Sequence, residues 1–109
     1  MRNYTTVIAP SVLPIADCIT NNGNGTCTAH FGYENTTGVV VTIPVGVNNS
    51  FSVGASNRNQ PTVFQVGRVT NAFTVIFQTN GSDTSSWILK GPDGILRSAL
   101  LLSTSPTCP

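Results

Sequence analysis

Hydrophobic and polar residues alternate over short segments of this chain, as they do in β-strands that bury one face. Residues 26–33 place cysteine, alanine, phenylalanine and tyrosine on one face, with threonine and histidine on the other. Residues 72–78 repeat the alternation, with Phe73, Val75 and Phe77 on one side. Both segments are therefore predicted to be strands that border a hydrophobic core.

Clusters of β-branched and aromatic residues, separated by glycine, proline and asparagine, predict five further strands. The last two are joined by Gly91-Pro92-Asp93-Gly94, where proline fixes φ and glycine supplies a left-handed conformation, so they are predicted to form a hairpin. About seven short strands in roughly 100 residues are typical of a Greek-key β-sandwich, so we predict a single all-β domain. The five segments are residues 39–45, 51–53, 63–66, 86–90 and 95–103.

Residues 1–17 precede the first predicted core strand and are treated as an N-terminal extension, which leaves residues 18–109 as the β-sandwich domain. The extension is too apolar for a disordered linker. Because edge strands tolerate proline, it is predicted to lie extended along a sheet edge in spite of Pro10 and Pro14. No apolar stretch of signal-peptide length follows Arg2, so a secreted form is expected to have lost its leader already.

Charged residues are scarce in this chain. Only 8% of the residues are charged and 39% are hydrophobic, whereas an ordinary domain carries about 25% charged residues. Threonine, serine and asparagine must therefore supply the polar surface. Five asparagines begin Asn-x-Ser/Thr sequons, which predicts an extracellular domain with covalent glycans; the alternative is that they serve only as turn formers. These asparagines are Asn3, Asn24, Asn35, Asn48 and Asn80.

The sparse charges also argue against several functions. A net charge of +1 with five scattered basic residues gives no basic stripe, so no nucleic-acid partner is predicted. No apolar run is long enough for a membrane-spanning helix. The four acidic residues form no calcium loop and His30 lacks zinc-site spacing, so no metal and no cofactor are predicted. A catalytic triad would need His30, which is interpreted as a surface histidine, so the chain is not predicted to be an enzyme.

Three side chains have structural interpretations. Trp87 is predicted to be the core tryptophan of a sandwich, with sugar stacking as the alternative. Arg58 and Arg68 are predicted to donate hydrogen bonds to loop carbonyls.

An ordered series of motifs resembles a module that is repeated in bacterial surface and secreted proteins. Cys18 is followed by residues 22–35, NGNGTCTAHFGYEN, which resemble its pattern of Cys, Asn-Gly-Asp/Asn-Gly-Thr, an aromatic, Thr-Ala, an aromatic or His, and Phe-Gly-Tyr-x-Asn. Cys27 stands where the pattern has an aromatic residue. The resemblance implies an immunoglobulin-like β-sandwich without enzymatic activity. It continues through residues 41–46, 48–51, 58–62, 64–68, 73–77, 87–91 and 105–109.

Three cysteines allow one intrachain disulfide and leave one cysteine over. The resemblance implies a bridge between Cys18 and Cys108. A rival bridge joins Cys18 to Cys27, which would lie opposite each other across a two-residue turn at Asn22-Gly23. With the first bridge, Cys27 is either a small buried hydrophobe or the thiol of a disulfide between subunits.

The two ends of the chain suggest self-assembly. Residues 99–102 are apolar at consecutive positions, so both faces of the last strand require cover. We therefore expect the N-terminal segment of one subunit to add to a sheet edge of the next, which makes the chain a secreted or cell-surface filament subunit whose partner is itself. The predicted interface residues are Val7, Ile8, Val12, Leu13, Leu100 and Leu102.

Two alternatives to a filament subunit stay open. In the first, residues 5–15 pair within their own domain as its first strand, and the chain is a monomeric or tethered surface module. In the second, it is an adhesive or carbohydrate-binding module, which should expose at least two aromatic residues along one flat face. Tyr4 and Tyr33 are the candidates for such a face.

Overall fold

The computed structural model describes residues 10–52, 57–79 and 85–109, and their regular structure consists entirely of β-strands. None of these residues belongs to a helix that could cross a membrane. The strands are β1 (Val12–Asn21), β2 (Thr26–Asn35), β3 (Val41–Thr42), β4 (Asn49–Ser52), β5 (Val63–Phe64), β6 (Gly67–Gln78), β7 (Ser85–Lys90) and β8 (Leu96–Leu101).

The strands form two three-stranded antiparallel sheets and one short pair. One sheet has the order β1-β2-β6 and the other has the order β4-β7-β8, while β3 pairs with β5. The inner faces of the two larger sheets carry the core, and β1 packs beside β8. The predicted all-β sandwich is confirmed.

The part of the core that β2 supplies consists of the alternate residues that the sequence pattern selected. Cys27, Ala29, Phe31 and Tyr33 of β2 are all buried, as the alternation predicted. Trp87 of β7 is wholly buried against them. Full burial of a large apolar side chain contributes about 1.5–3 kcal/mol, so this row supplies much of the driving force for folding.

Aromatic rings join the two sheets at the centre of this core. The ring of Trp87 lies 4.8 Å from that of Phe73 and 6.0 Å from that of Phe31, both edge to face. Phe64 belongs to β5, outside the two larger sheets, and its ring stacks on that of Trp87 with 6.2 Å between the centroids. Trp87 is therefore the core tryptophan that the sequence predicted.

Two buried asparagines hold the irregular segments on this core. The amide group of Asn49 donates to the carbonyls of Ile43 and Pro61 at 2.8 and 2.9 Å, while its oxygen accepts the indole N–H of Trp87 at 2.9 Å. Asn35 donates in the same way to the carbonyls of Val39 and Phe64. The loops beside β3 and β5 have few ladder hydrogen bonds, so these side chains replace them.

Several of the predicted boundaries are wrong. β6 begins at Gly67 rather than at residue 72. The strand expected over residues 39–45 is reduced to Val41–Thr42, because Val39 gives its carbonyl to Asn35 and Pro44 has no N–H to donate. The boundary drawn at residue 17 falls inside β1, and residues 12–17 pair with β2 of their own chain. They form the first strand of the sandwich, at the edge of its sheet.

The sandwich has two distinct ends. At the first, which we call the clamp end, Ser11 lies against the turn between β7 and β8. At the other, the disulfide end, the C-terminal residues pair with Ile19 near the turn between β1 and β2. Both β1 and β8 run from the clamp end to the disulfide end.

Replacing Asn49 with alanine should lower the free energy of unfolding by about 2–4 kcal/mol. The substitution leaves the indole N–H of Trp87 and two carbonyls without their partner. Urea unfolding, followed by tryptophan fluorescence, measures the loss. The matched control is Asn48→Ala, at an exposed neighbouring residue, which should change stability by less than about 0.5 kcal/mol. Equal effects of the two substitutions would contradict the role given to Asn49.

Candidate assembly surface

The outer face of the β4-β7-β8 sheet carries an apolar patch. On β8, Leu96 and Leu100 are 58% and 50% exposed. Half-buried Ile88 of β7 lies opposite Ser98, and thus diagonally between the two leucines. We call Ile88, Leu96 and Leu100 the outer patch. The other outward positions of this sheet are Ser50, Ser52, Ser86, Lys90 and Ser98.

The strand that carries the two leucines is also a sheet edge. β8 pairs with β7 on one side, and no described strand pairs with it on the other. About half of its backbone N–H and C=O groups therefore face outwards, in the arrangement that accepts another strand. Its one charged residue, Arg97, has its guanidinium bound to Asp93.

A hydrogen-bond cluster fixes the chain where β1 begins. The hydroxyl of Ser11 donates to Asp93 at 2.8 Å, and its backbone N–H donates to the hydroxyl of Thr36 at 2.9 Å. Gly91 is required here because a Cβ atom at this position would overlap the hydroxyl of Ser11. Residue 10 is consequently held at the clamp end, beside the start of β8.

Arg97 determines the ionisation of this cluster. Its guanidinium bonds both carboxylate oxygens of Asp93, and 2% of the Asp93 side-chain surface is exposed. The hydrogen bond from Arg97, with those from Ile95 and Ser11, outweighs the cost of burial and holds the pKa of Asp93 well below its ordinary value. The same bond raises the pKa of Arg97.

The opposite end of the sandwich is closed by a disulfide between Cys18 and Cys108. Beside it, the N–H of Cys108 donates to the carbonyl of Ile19, and the N–H of Ile19 donates to that of Pro106. The bridge implied by the resemblance is confirmed. Because the cysteines are 90 positions apart in the sequence, the chain-entropy model gives the bridge about 4–5 kcal/mol of stabilisation.

Of the other roles considered for the cysteines, the Cys18–Cys27 bridge and a disulfide between subunits are wrong, whereas Cys27 as a small buried hydrophobe is confirmed. The turn between β1 and β2 has four residues, and it places Cys27 opposite Asn21 rather than Cys18. Cys27 is also 0% exposed, so its thiol cannot reach another subunit. It fills the core as a small apolar side chain.

The predicted interface residues separate into three groups. Leu100 and Leu102 are exposed, as an interface requires. Leu13 is half-buried on β1, and Val12 is wholly buried in the core of its own chain, so assigning Val12 to a surface was wrong. Val7 and Ile8 lie outside the described residues.

Sequence reasoning missed Leu96 and Ile88. The signal was present in the predicted hairpin, because pairing its two strands puts both residues on the face that Leu100 occupies.

The sequons also differ in accessibility. Asn24 and Asn48 are exposed in turns and remain candidates for glycosylation. Asn35 is 1% exposed and its amide nitrogen makes two hydrogen bonds, so the folded domain has no room for a glycan there. The candidates Asn3 and Asn80 lie outside the described residues.

Two of the remaining polar candidates, His30 and Arg68, bond within the sheet that contains β2. The ring nitrogens of His30 lie at hydrogen-bond distance from Thr20 and Asn71. Arg68 pairs with Asp17 and donates to the carbonyls of Tyr33 and Val69, which lie in β2 and β6 rather than in a loop as predicted. Arg58 lies over the ring of Phe51, with 5.9 Å between its guanidinium carbon and the ring centroid.

The aromatic residues that the structure describes do not form a flat exposed face. Tyr33 is buried and its hydroxyl accepts the N–H of Gln65, so the expectation that it is free to stack on sugar was wrong. Within the described ranges every aromatic side chain is buried or half-buried. Tyr4 lies outside them.

No family model, curated protein or solved structure matches this chain. The resemblance to the repeated surface module stays a prediction, and function is argued from the outer patch, the edge of β8 and the two ends of the sandwich.

Replacing Asp93 with asparagine should lower stability near neutral pH and alter its dependence on pH. Below the ordinary pKa of 3.8, the unfolded carboxyl group takes up a proton while Arg97 keeps the folded one ionised. This stabilisation is therefore complete above about pH 5 and declines as the pH falls below about 4. Urea unfolding across this range measures the difference in free energy of unfolding between the two proteins. This difference should be constant above about pH 5 and should narrow as the pH falls below about 4. A difference that stays constant down to about pH 2.5 would contradict the low pKa.

Proposed function

We propose that the chain is a non-enzymatic extracellular structural subunit that assembles head to tail into a filament. In this assembly, residues 1–9 of one subunit add as a β-strand to a sheet edge of the next. The observation that carries the proposal is an open sheet edge, β8, whose outward side chains include the exposed Leu96 and Leu100. An exposed apolar edge strand is a template for pairing with another chain.

The positions of the chain ends support a head-to-tail contact. Ser11 is fixed at the clamp end, whereas Cys108 is bonded at the disulfide end. A segment that precedes Ser11 can therefore reach a neighbour stacked beyond the clamp end while its own sandwich stays intact. Repetition of one such contact gives an open filament unless the rotation closes a ring.

The composition supports close stacking of identical subunits. A net charge of +1 and nine charged side chains produce little repulsion between copies. The disulfide supports an oxidising, extracellular location, and exposed Asn24 and Asn48 are where covalent glycans would be carried.

The alternative is a monomeric or tethered adhesive module that binds carbohydrate. It receives less support, because the described residues present no exposed aromatic side chain on which a sugar ring could stack.

Removing residues 1–9 tests the proposal. The shortened chain retains Pro10, Ser11 and all eight described strands, so we expect a folded domain with an unchanged urea midpoint to within about 0.3 M. Electron microscopy at neutral pH should show uniform filaments for the full chain and dispersed particles for the shortened one.

A second variant controls for chain length. In it, nine glycine and serine residues replace residues 1–9, and we expect dispersed particles again because the apolar side chains are gone. Filaments from either variant would refute assembly through this segment. Dispersed particles from the full chain would leave the monomeric module as the function.

A further inference from the structure

We infer that β8 is the edge that accepts residues 1–9 of another copy, and that the incoming strand runs parallel to β8. The inference rests on the proposed function and makes it more specific, because it names the acceptor strand and the direction of pairing. It follows from comparing the edges of the two larger sheets and from the positions of the chain ends.

The edge of β1 is protected against strand addition. Pro14, in its middle, has no N–H group. The register shifts between Ala16 and Cys18, which marks a bulge. Beyond the bulge, residues 106–108 already pair with Ile19, and the disulfide holds them there.

The edge of β6 is irregular for similar reasons. Asn71 has a φ of 54°, a left-handed conformation that interrupts a straight strand, and the pairing with β2 shifts beside it. Nearer the disulfide end, Asn57 and Asn59 line a shallow groove against Thr74 and Ile76. The loop that contains Asn57 and Asn59 therefore lies along the part of β6 that an added strand would need.

The edge of β4 is short and partly covered. β4 has four residues, and the carbonyl of its first residue, Asn49, accepts hydrogen bonds from the side chain of Gln60 and the backbone of Gly46. A strand of this length offers few backbone groups for another chain.

The edge of β8 has no proline, bulge or hydrogen-bonded segment among the described residues, although β1 of the same chain packs beside it. The pairing of β8 with β7 runs without a register shift from Leu96 to Leu101, and β8 contains neither proline nor glycine. The guanidinium of Arg97, whose charge would oppose the addition of a strand, is bound by Asp93 at the clamp end. β8 is therefore the most suitable acceptor among the edges of the two larger sheets.

The direction follows from the ends of the molecule. In a head-to-tail stack, the clamp end of one subunit meets the disulfide end of the next, so residue 10 of the donor lies near Leu101 of the acceptor. Residues 9 to 1 then extend back towards Leu96. Read from residue 1 to residue 9, the donor strand has the direction of β8, and the pairing is parallel.

The length of the segment fits this arrangement. Nine extended residues reach about 30 Å, whereas the six residues of β8 span about 20 Å. Strands paired in parallel are usually covered on both faces. Tyr4 and Ile8 on one face of the segment, and Val7 on the other, supply apolar side chains for both.

A donor from the same chain would give the opposite direction. Residue 10 is held beside the start of β8, so residues 1–9 could reach their own β8 only by reversing at Pro10, and they would run antiparallel to it. Strand direction therefore distinguishes exchange between subunits from closure within one subunit.

Disulfide cross-linking between two variants tests both parts of the inference. The donor is the full chain with one added cysteine, at Tyr4 or Ile8. A second set, with the cysteine at Asn3 or Val7, covers the other face of the added strand. The acceptor lacks residues 1–9 and carries Leu96→Cys or Leu100→Cys, so any cross-linked dimer joins two chains. Mild oxidation and a non-reducing gel measure the yield.

A parallel strand predicts a specific pattern of yields. Residue 4 should cross-link to residue 96 and residue 8 to residue 100, each at least about fivefold more than in the exchanged combinations. The second set should give the same order if its face is outward. The matched control acceptor is Ser52→Cys, on the same sheet face but on β4, and it should give only background.

The contrary outcomes are distinct. The exchanged pattern, residue 4 with 100 and residue 8 with 96, would overturn the parallel direction. Filaments without cross-links to β8, or with cross-links to Ser52→Cys, would overturn β8 as acceptor and leave the filament proposal intact. Absence of filaments from the unmodified chain would overturn both.

A second measurement needs no cross-link. The double variant Leu96→Ser, Leu100→Ser should raise the protein concentration needed for filaments by at least about tenfold, since it removes the apolar side chains beside the donor. The control is Ile76→Ser, at a 63% exposed position on the other sheet, which should leave that concentration unchanged. Equal effects would overturn the role of β8.

Discussion

Burial of the Trp87 indole is the constraint on which the rest of the sandwich depends. Its ring contacts Phe31 and Phe73 of the facing sheet, so it sets how the two sheets meet. Its N–H must find an acceptor inside the core, and Asn49 provides one. Because the amide of Asn49 also holds two loop carbonyls, the same requirement positions the segments around β3 and β5.

The outer surface is constrained by the scarcity of charge. Serines occupy the outward positions of β4, and β7 has Ser86 and Lys90 beside Ile88, whereas two of the three outward positions of β8 are leucines. The edges of the two larger sheets also differ from one another. Proline, bulges, a loop or the C-terminal residues hinder strand addition at the edges of β1, β4 and β6, whereas β8 has none of these. Among the described residues, features that hinder strand addition are therefore present at three of these edges and missing at that of β8. That asymmetry is the physical basis for proposing a directed, head-to-tail assembly.

The parts of the fold that follow from local pattern could be predicted from the sequence. Alternation identified β2 and β6 with the correct buried face, and the Gly91-Pro92-Asp93-Gly94 turn identified the last hairpin. β1 was divided at residue 17 because Pro14, its bulge and Pro10 just before the strand hide the alternation. Its place in the sandwich is set by pairing with β2, which is a non-local contact.

The candidate site could be predicted only in part, for a related reason. Leu100 was identified from an apolar run, but Leu96 and Ile88 join it only after two strands are paired. Asn35 was selected as a sequon, although its amide is committed to carbonyls of residues 39 and 64. The side-chain hydrogen bonds of Ser11 to Asp93 and Arg97 join residues more than 80 positions apart, and a single sequence carries no local signal for them.

Hydrogen exchange on assembled and dispersed material tests the central claim most directly. In the dispersed subunit, the β8 amides that do not bind β7 should exchange rapidly, because no described strand pairs with that edge. In filaments the same amides should become protected by at least about a hundredfold, while those of β4 exchange as before. Equal exchange of β8 in the two states, or new protection confined to β4, would contradict assembly through this edge.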